Sequence, residues 1–389
     1  MIDITSSTND RLKQLYENMQ QQSNYFIGYP CNALLNDSES SRFMNFLINN
    51  VGDPYVEGTY SMNAHDLEKE IISEFSELLH LPQEERWGYL ASGGTEGNLY
   101  GLLLGRSRLP SAVLYCSNES HYSVFKAART LRMPLTVIGS TFQGEINYEE
   151  LEQKLIANKN LPAVINANIG TTMKGAIDRV EKILFALKNA NCNEYYIHCD
   201  SALHGAMLPY IDKSPIFDFR LPIGSLSISG HKFLGCPIPC GIVLARKTFV
   251  KAVENEVEYL ATSDSTLSGS RSGLAAIALW ERIQKIGKTG WRNWVDQCMG
   301  NTKYALTELA ARGWLSFANA FSNIIVIKRP SPNLIRKWQL ASQGPYSHIL
   351  KRGTMGVIRS SKRQAATTRS KQYIEPDLQR LRELVADLS

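Results

Sequence analysis

Ser227-Ile228-Ser229-Gly230-His231-Lys232-Phe233-Leu234-Gly235-Cys236-Pro237 is the stretch on which the reading of the chain turns. An apolar run ends just before it; two small hydroxyls, a glycine, a histidine and a lysine follow. Lysine is rarely buried without a partner, so a lysine at the exit of a buried-looking strand calls for a use. One use is a Schiff base with an aldehyde cofactor, where a desolvated amine keeps a low pKa and stays nucleophilic. The hydroxyls, the histidine and the nearby backbone amides suit a phosphate. On this stretch alone an ordinary strand-to-loop exit with a surface lysine is equally open.

Outward from it, short apolar runs alternate with helix-spaced segments. Strands are expected at 87–90, 113–115, 136–138, 163–168, 195–198, 225–229 and 241–245, and helices at 9–22, 65–81, 99–105, 124–131, 148–158 and 178–190. This alternation predicts a mainly parallel sheet covered by helices. Ligands of such sheets sit beyond the carboxyl ends of the strands, and polar clusters fall at those ends. Ala91-Ser92-Gly93-Gly94-Thr95-Glu96-Gly97-Asn98 is a glycine-rich strand-to-helix turn, a ready anion site, without the pattern of a Walker or dinucleotide loop. Ser120-His121-Tyr122-Ser123 leads into another helix, where a capping histidine is the plainer reading. Asn168-Ile169-Gly170-Thr171-Thr172 and His198-Cys199-Asp200-Ser201-Ala202 close two more strands. A buried Asp200 needs a cationic partner; a protonated pyridine nitrogen serves, and that pairing makes pyridoxal phosphate an electron sink. His121 then stacks on one ring face with Ala202 beneath the other, Gly93, Gly94 and Thr95 hold the phosphate, and Lys232 carries the aldehyde.

Composition sets the outer limits. The chain has 389 residues, 43% apolar and 20% charged, which is globular and large enough for more than one domain. No apolar run approaches the ~20 residues of a membrane span, and residues 1–10 lack the apolar core of a secretory peptide, so a cytoplasmic protein is expected. Its 7 cysteines contain no CxxC pair, as suits reduced thiols and no metal site. The net charge of +5 hides a stretch, 309–374, with no acidic residue and twelve Lys or Arg, seven of them within 351–371. Without aromatic interleaving this reads as a solvated surface, and no nucleic-acid partner is expected. Leu12, Leu15, Tyr16 and Met19 form an apolar stripe on the first helix that needs a partner surface.

Taken in order, Tyr25-Phe26-Ile27-Gly28-Tyr29-Pro30, Gly93–Asn98, Ser120–Ser123, Asn168–Thr172, His198-Cys199-Asp200, Ser229-Gly230-His231-Lys232 and Gly269-Ser270-Arg271 resemble the motifs of the group II pyridoxal-phosphate-dependent amino acid decarboxylases. Within that family the chain is most similar to bacterial histidine decarboxylases and plant-type serine decarboxylases. The resemblance implies the aspartate aminotransferase-like fold (fold type I): an α/β large domain with a mainly parallel seven-stranded sheet and a small C-terminal α+β domain. The expected division is 1–60 as N-terminal and dimer segment, 61–295 as cofactor domain and 296–389 as small domain. By the same resemblance Lys232 is the Schiff-base lysine, Asp200 the ring-nitrogen partner and His121 the stacking residue. Thr95, Ser229 and His231 contact the phosphate of pyridoxal 5'-phosphate, with Gly94 and Glu96 adjacent, and Thr172 and Ala202 complete the cofactor-binding set. Ser270 is a phosphate contact from the neighbouring subunit of a homodimer with a shared active site, and Tyr259, on a mobile catalytic loop that closes over the substrate, is the catalytic residue that reprotonates the carbanion.

The implied reaction is α-decarboxylation of a polar L-amino acid to its amine and CO₂. Gly52-Asp53-Pro54, His198-Cys199-Asp200 and Lys232–Pro237 lie closer to the serine type, while Pro237-Ile238-Pro239-Cys240-Gly241 is shared with the histidine type. L-Serine, giving ethanolamine, is therefore favoured over L-histidine, giving histamine. Decarboxylation-dependent oxidative deamination, or cofactor binding without turnover, are the alternatives. Two departures stand out: Ser272-Gly273-Leu274 replaces the Asn-Gly-His usual in the relatives, and the basic 351–371 stretch does not resemble the family's ending.

Overall fold

The computed structural model describes residues 4–29, 39–350 and 375–388. Pro30 of the aromatic loop, Cys31 and the basic stretch 351–371 lie outside the described residues. The chain divides into two compact units, 36–295 with 319–322, and 1–35 with 296–318 and 323–389.

In chain order the helices and strands are α1 (Ile4–Ser23), α2 (His65–Leu78), β1 (Arg86–Ala91), α3 (Gly94–Arg108), β2 (Val113–Ser117), α4 (Tyr122–Thr130), β3 (Leu135–Ile138), α5 (Tyr148–Ala157), β4 (Ala163–Asn168), α6 (Val180–Asn189), β5 (Tyr195–Asp200), β6 (Ser225–Ser229), β7 (Gly241–Arg246), α7 (Lys247–Val250), β8 (Asn255–Val257), β9 (Thr262–Asp264), α8 (Gly273–Ala311), β10 (Ser316–Phe317), β11 (Ile324–Lys328), α9 (Pro332–Trp338), β12 (Ala341–Gln343), β13 (Tyr346–Leu350) and α10 (Glu375–Asp387). Helix α8 is broken at Gly287, whose φ is 63°.

Among the described residues of the larger unit, seven strands form one sheet in the order β1-β7-β6-β5-β4-β2-β3. Neighbours from β3 to β6 pair in parallel; β7 runs antiparallel to both β6 and β1. The interior strands are buried along nearly their whole length, which is why they read as apolar runs without alternation. Edge strand β3 is partly exposed instead.

Helix α3 lies unusually close to the sheet because one of its faces is glycine. A Cβ at Gly97 would stand 2.7 Å from Ser227 Cβ, one at Gly101 2.8 Å from His198 Cγ, and one at Gly105 2.9 Å from Tyr196 Cδ1. Residues three and four apart share a helix face, so this stripe sits directly on β5 and β6. Beneath β1, Trp87 stacks on Tyr100 at 5.5 Å and Tyr89 meets Tyr100 edge-on at 5.1 Å, in a core completed by Leu102, Leu104 and Leu114.

The smaller unit holds a four-stranded antiparallel sheet, β10-β11-β13-β12. Its core gathers Ile27, Leu309, Ile325, Trp338, Ile349 and Leu384. Trp338 Nε1 donates to Asp387 Oδ2 at 2.7 Å, tying α9 to α10.

Candidate active site

Asp200 ends β5, 7% exposed. Its Oδ2 accepts from Asn98 Nδ2 at 2.8 Å and its Oδ1 from the Ala202 backbone N–H at 3.3 Å. A carboxylate so placed, at the carboxyl end of a parallel strand, is suited to a cation arriving from beyond the sheet. His121 caps α4: the Ser123 N–H donates to its Nδ1 at 3.3 Å, and Ser123 Oγ lies 2.8 Å from the same atom. Burial pulls the proton affinity of His121 below its usual value; the Asp200 carboxylate opposes this and the Lys232 ammonium adds to it. His121 is therefore within electrostatic reach of both Asp200 and Lys232.

Lys232 is half-buried, three residues past the end of β6, with its N–H donating to the Ser229 carbonyl at 3.2 Å. Burial, reinforced by the Lys232 charge, holds His204 down to about 3. Phe233 anchors the loop against Trp291 and Trp294, with ring centroids 5.7 and 5.6 Å away. Arg282 donates to the Leu234 carbonyl. The loop thus has aromatic packing on one side of the lysine and a strand on the other.

The amino end of α3 meets the end of β6. A Cβ at Gly94 would stand 2.6 Å from Ser229 Oγ and 3.7 Å from Ala202 Cβ, and one at Gly93 would stand 3.7 Å from His231 Cε1. The first turn of α3 leaves backbone N–H groups unpaired within the helix, and Ser229 and His231 stand beside it. His231 Nδ1 lies 3.0 Å from the Cys240 carbonyl oxygen, and burial lowers its proton affinity. Thr95 is exposed in that first turn.

Other expected residues stand apart. Glu96 is buried with its carboxylate engaged, accepting from Ser92 N at 2.9 Å, Ser92 Oγ at 2.6 Å and Tyr89 OH at 3.0 Å. Thr172 is exposed on the turn after β4. Ser270 is exposed and accepts from Asn49 Nδ2 at 3.1 Å. Tyr259, 82% exposed, sits on the turn joining β8 to β9. Where the motif departs from its relatives, Ser272 Oγ accepts from Ala275 N at 3.1 Å at the start of α8. Next to it, Arg271 is buried against Glu68, and Glu68 also accepts from Leu90 N at 2.7 Å and Asn50 Nδ2 at 2.6 Å.

Further polar residues lie behind Asp200, and among them Ser227, whose hydroxyl suited a phosphate by sequence, instead donates to Asn98 Oδ1 at 2.6 Å. Asn98, His198, Ser123, Ser225 and Ser227 are all buried. Their signal was in the sequence: His198 and Asp200, like Ser225 and Ser227, alternate along apolar strands, so each pair shares a sheet face.

A carboxylate at one end, a helix amino terminus with a hydroxyl and an imidazole at the other, and an amine and a second imidazole nearby fit a pyridine ring bearing an aldehyde and a phosphate. Only a glycine at 94 fits against Ser229 Oγ, which brings the first α3 turn and that hydroxyl together at this corner. Fold and site together define a protein of the pyridoxal-cofactor class. Residues 4–324 match the family described as the pyridoxal-dependent decarboxylase conserved domain. Serine decarboxylase 2 of Oryza sativa subsp. japonica is 45% identical over 336 residues, covering 86% of this chain and 72% of that one. The histidine decarboxylase of Solanum lycopersicum is 41% identical over 344 residues, covering 87% and 83%. An L-methionine decarboxylase from Streptomyces sp.590 shares the fold at a TM-score of 0.84 with 22% identity, over 98% of this chain and 95% of that one. The chain belongs to the pyridoxal-dependent decarboxylase family: it is an amino acid decarboxylase, and its cofactor is pyridoxal 5'-phosphate.

Proposed function

We propose that the chain α-decarboxylates a polar L-amino acid to its amine, with L-serine favoured over L-histidine. The observation that supports this reading is that His121, in the turn after β2, lies within electrostatic reach of both Asp200, at the end of β5, and Lys232, past the end of β6. The lean to serine is supported by the 40–45% identity to the three rice serine decarboxylases, against 37–41% to histidine decarboxylases.

Pyridoxal phosphate, when bound, supplies the electron sink for the pair left as CO₂ departs. Lys232 would provide the amine that holds the cofactor's aldehyde carbon. Asp200 keeps a proton on the ring nitrogen. His121 would cover one ring face and shield it from water, and Ala202 is small enough to lie beneath the other. Backbone amides of the first α3 turn, with Thr95, Ser229 and His231, bind the phosphate; Gly94 permits the close approach. Glu96, by its bonds to Ser92 and Tyr89, holds that turn in shape. Thr172, on the turn after β4, would complete the cofactor-binding set.

The working unit in this reading is a homodimer in the cytoplasm. Leu12, Leu15, Tyr16 and Met19 on α1 are exposed, as are Phe43, Met44, Phe46 and Leu47 in the other unit, and apolar side chains in such runs suit a second copy. Tyr259 and Ser270 would serve the partner's site. None of the six described cysteines is in a disulfide, which supports a reducing compartment. No described helix is long and apolar enough to cross a membrane.

The test is release of amine and CO₂ from a panel including serine and histidine, run beside Lys232→Ala. Ethanolamine from serine is expected, with loss of both turnover and the visible absorbance of the loaded protein in Lys232→Ala. Aldehyde and ammonia as products, or turnover with a normal spectrum in the variant, would refute the reading.

A further inference from the structure

Asn98 stands where buried hydrogen bonds to Asp200 and to His121 meet. Its Nδ2 lies 2.8 Å from Asp200 Oδ2 and 3.0 Å from Ser123 Oγ. Its Oδ1 lies 2.6 Å from Ser227 Oγ and 3.1 Å from His198 Nε2. Farther back, His198 Nδ1 is 2.9 Å from Ser225 Oγ, which is 2.8 Å from Tyr196 OH. Farther forward, Ser123 Oγ is 2.8 Å from His121 Nδ1. All of these residues except His121 are buried.

Counting donors and acceptors gives each bond a direction. A carboxylate accepts and cannot donate, so the amide edge facing Asp200 is the NH₂. The second proton of that NH₂ goes to Ser123 Oγ. The Ser123 hydroxyl proton is then left for His121 Nδ1, which the Ser123 backbone N–H also approaches at 3.3 Å. His121 Nδ1 therefore accepts, and the ring proton sits on Nε2. On the other edge, Asn98 Oδ1 accepts from the Ser227 hydroxyl and from His198 Nε2–H. Burial keeps His198 neutral down to about pH 4, so its Nδ1 accepts from Ser225, and Ser225 accepts from Tyr196. Reversing the Asn98 amide would set its oxygen against the carboxylate and its NH₂ against the His198 N–H. The Ser227 and His198 protons thus converge on Asn98 Oδ1, and the two Asn98 amide protons point towards Asp200 and, through Ser123, His121.

We propose that Asn98 is a positioning residue that fixes, through one side chain, the orientation of the Asp200 carboxylate and the Nε2-protonated tautomer of His121. The proposal rests on the assignment of Asp200 and His121 to the cofactor given above. It makes the two groups interdependent, since both are set by the two protons of one amide.

Two measurements test it. Histidine nitrogen NMR, assigned with His121→Gln, reads the tautomer at saturating cofactor in the parent and in Asn98→Ala. An unprotonated Nδ1 on His121 is expected in the parent, with that signal shifted in Asn98→Ala; a protonated Nδ1 in the parent, or an identical His121 signal in the variant, overturns the proposal. Cofactor affinity is then titrated by visible absorbance in Asn98→Ala and Asn98→Asp. Losing a charged-group hydrogen bond should weaken binding roughly 10- to 100-fold in Asn98→Ala. Asn98→Asp keeps the shape but sets a carboxylate against Asp200, so its defect should be larger and should grow as pH rises above the carboxylate range. If Asn98 only filled space, the near-isosteric Asp would be the milder change, and that order overturns the proposal. An Asp200→Ala variant with unchanged cofactor affinity would remove the assignment of Asp200 itself. The His121 tautomer in the unaltered protein still decides whether the Asn98 network runs as described.

Discussion

Gly101→Ala tests the close seating of α3. In an exposed helix such a change is favourable by about 1 kcal/mol. Here the added Cβ would meet His198 Nδ1 and Cε1 even more closely than the 2.8 Å that separates it from Cγ, against the ~3.5 Å of an ordinary contact, so the ring or the helix must shift by more than an ångström. His198 has little room to yield: it is fully buried and held at 3.1 Å by Asn98 and at 2.9 Å by Ser225. Overpacking of this kind costs about 1–3 kcal/mol, and a buried hydrogen bond left open costs about 1–3 kcal/mol more. A net loss near 3 kcal/mol lowers the melting temperature by roughly 5–10 °C in a unit of this size. Gly300→Ala is the control, because Gly300 is an exposed position of α8 with nothing within 4 Å of an added Cβ. It should leave the melting temperature unchanged or raise it. Thermal unfolding by circular dichroism, with cofactor titration alongside, reads both variants. A Gly101→Ala protein that melts at or above the parent temperature and binds cofactor normally would refute the close helix–sheet seating and its link to Asp200.

Other perturbations follow from buried charge. Arg271→Met leaves Glu68 fully buried with its cation gone, a change worth about 3–5 kcal/mol; replacing Glu68 by Gln in the same protein should recover part of the loss, and a single variant as stable as the parent in urea melts would contradict the pairing. His204 is fully buried, with Nε2 at 3.0 Å from Ser322 Oγ and Nδ1 without a hydrogen-bond partner. Burial holds it near 3, below its unfolded value, so the unfolded chain binds more protons between about pH 6.5 and 3 and stability must fall as pH drops through that window. His204→Leu, which gives up the Ser322 bond, should show a slope in this window shallower by up to about 1.4 kcal/mol per pH unit; an unchanged slope in denaturant melts at several pH values would count against the buried neutral ring.

The strands were legible because parallel strands covered on both faces read as unbroken apolar runs, and each of the seven lies within a few residues of its expected place. The reversal of β7 was not legible from its own residues, since Gly241–Arg246 has no directional signature. The clue lay in the connection. Between β6 and β7 the chain has eleven residues and no helix, too little for the usual parallel crossover. Lys232, Asp200 and His121 could be picked out because each breaks an apolar pattern where a strand ends. Asn98 and His198 could not be given roles in the same way, because their meaning depends on α3 lying against β5 and β6. The spacing of Gly94, Gly97, Gly101 and Gly105 carried that information. Glu96 sat beside the phosphate turn by sequence position, but sequence position does not show that its carboxylate turns back to Ser92 and Tyr89.

The reversal of β7 has a consequence for how such a scaffold diversifies. Ser229 and Gly241 stand opposite each other in the ladder, so the loop bearing Lys232 leaves and re-enters the sheet between two adjacent, hydrogen-bonded strands. Inside it, Gly230 N donates to Cys240 O at 2.8 Å and Cys236 N donates to Gly230 O at 2.9 Å. A segment closed at both ends and cross-braced within cannot absorb an inserted residue without moving the lysine. The turn after β4 is clipped in a similar way, with Asp178 N donating to Asn168 O at 2.8 Å and Gly170 N to Ala176 O at 3.0 Å, whereas the turn after β2 leads into the separate helix α4 rather than back into the sheet. Change in length should therefore accumulate around the substrate while the amine stays where it is, a division of labour under which one sheet can serve amino acids as unlike as serine and histidine.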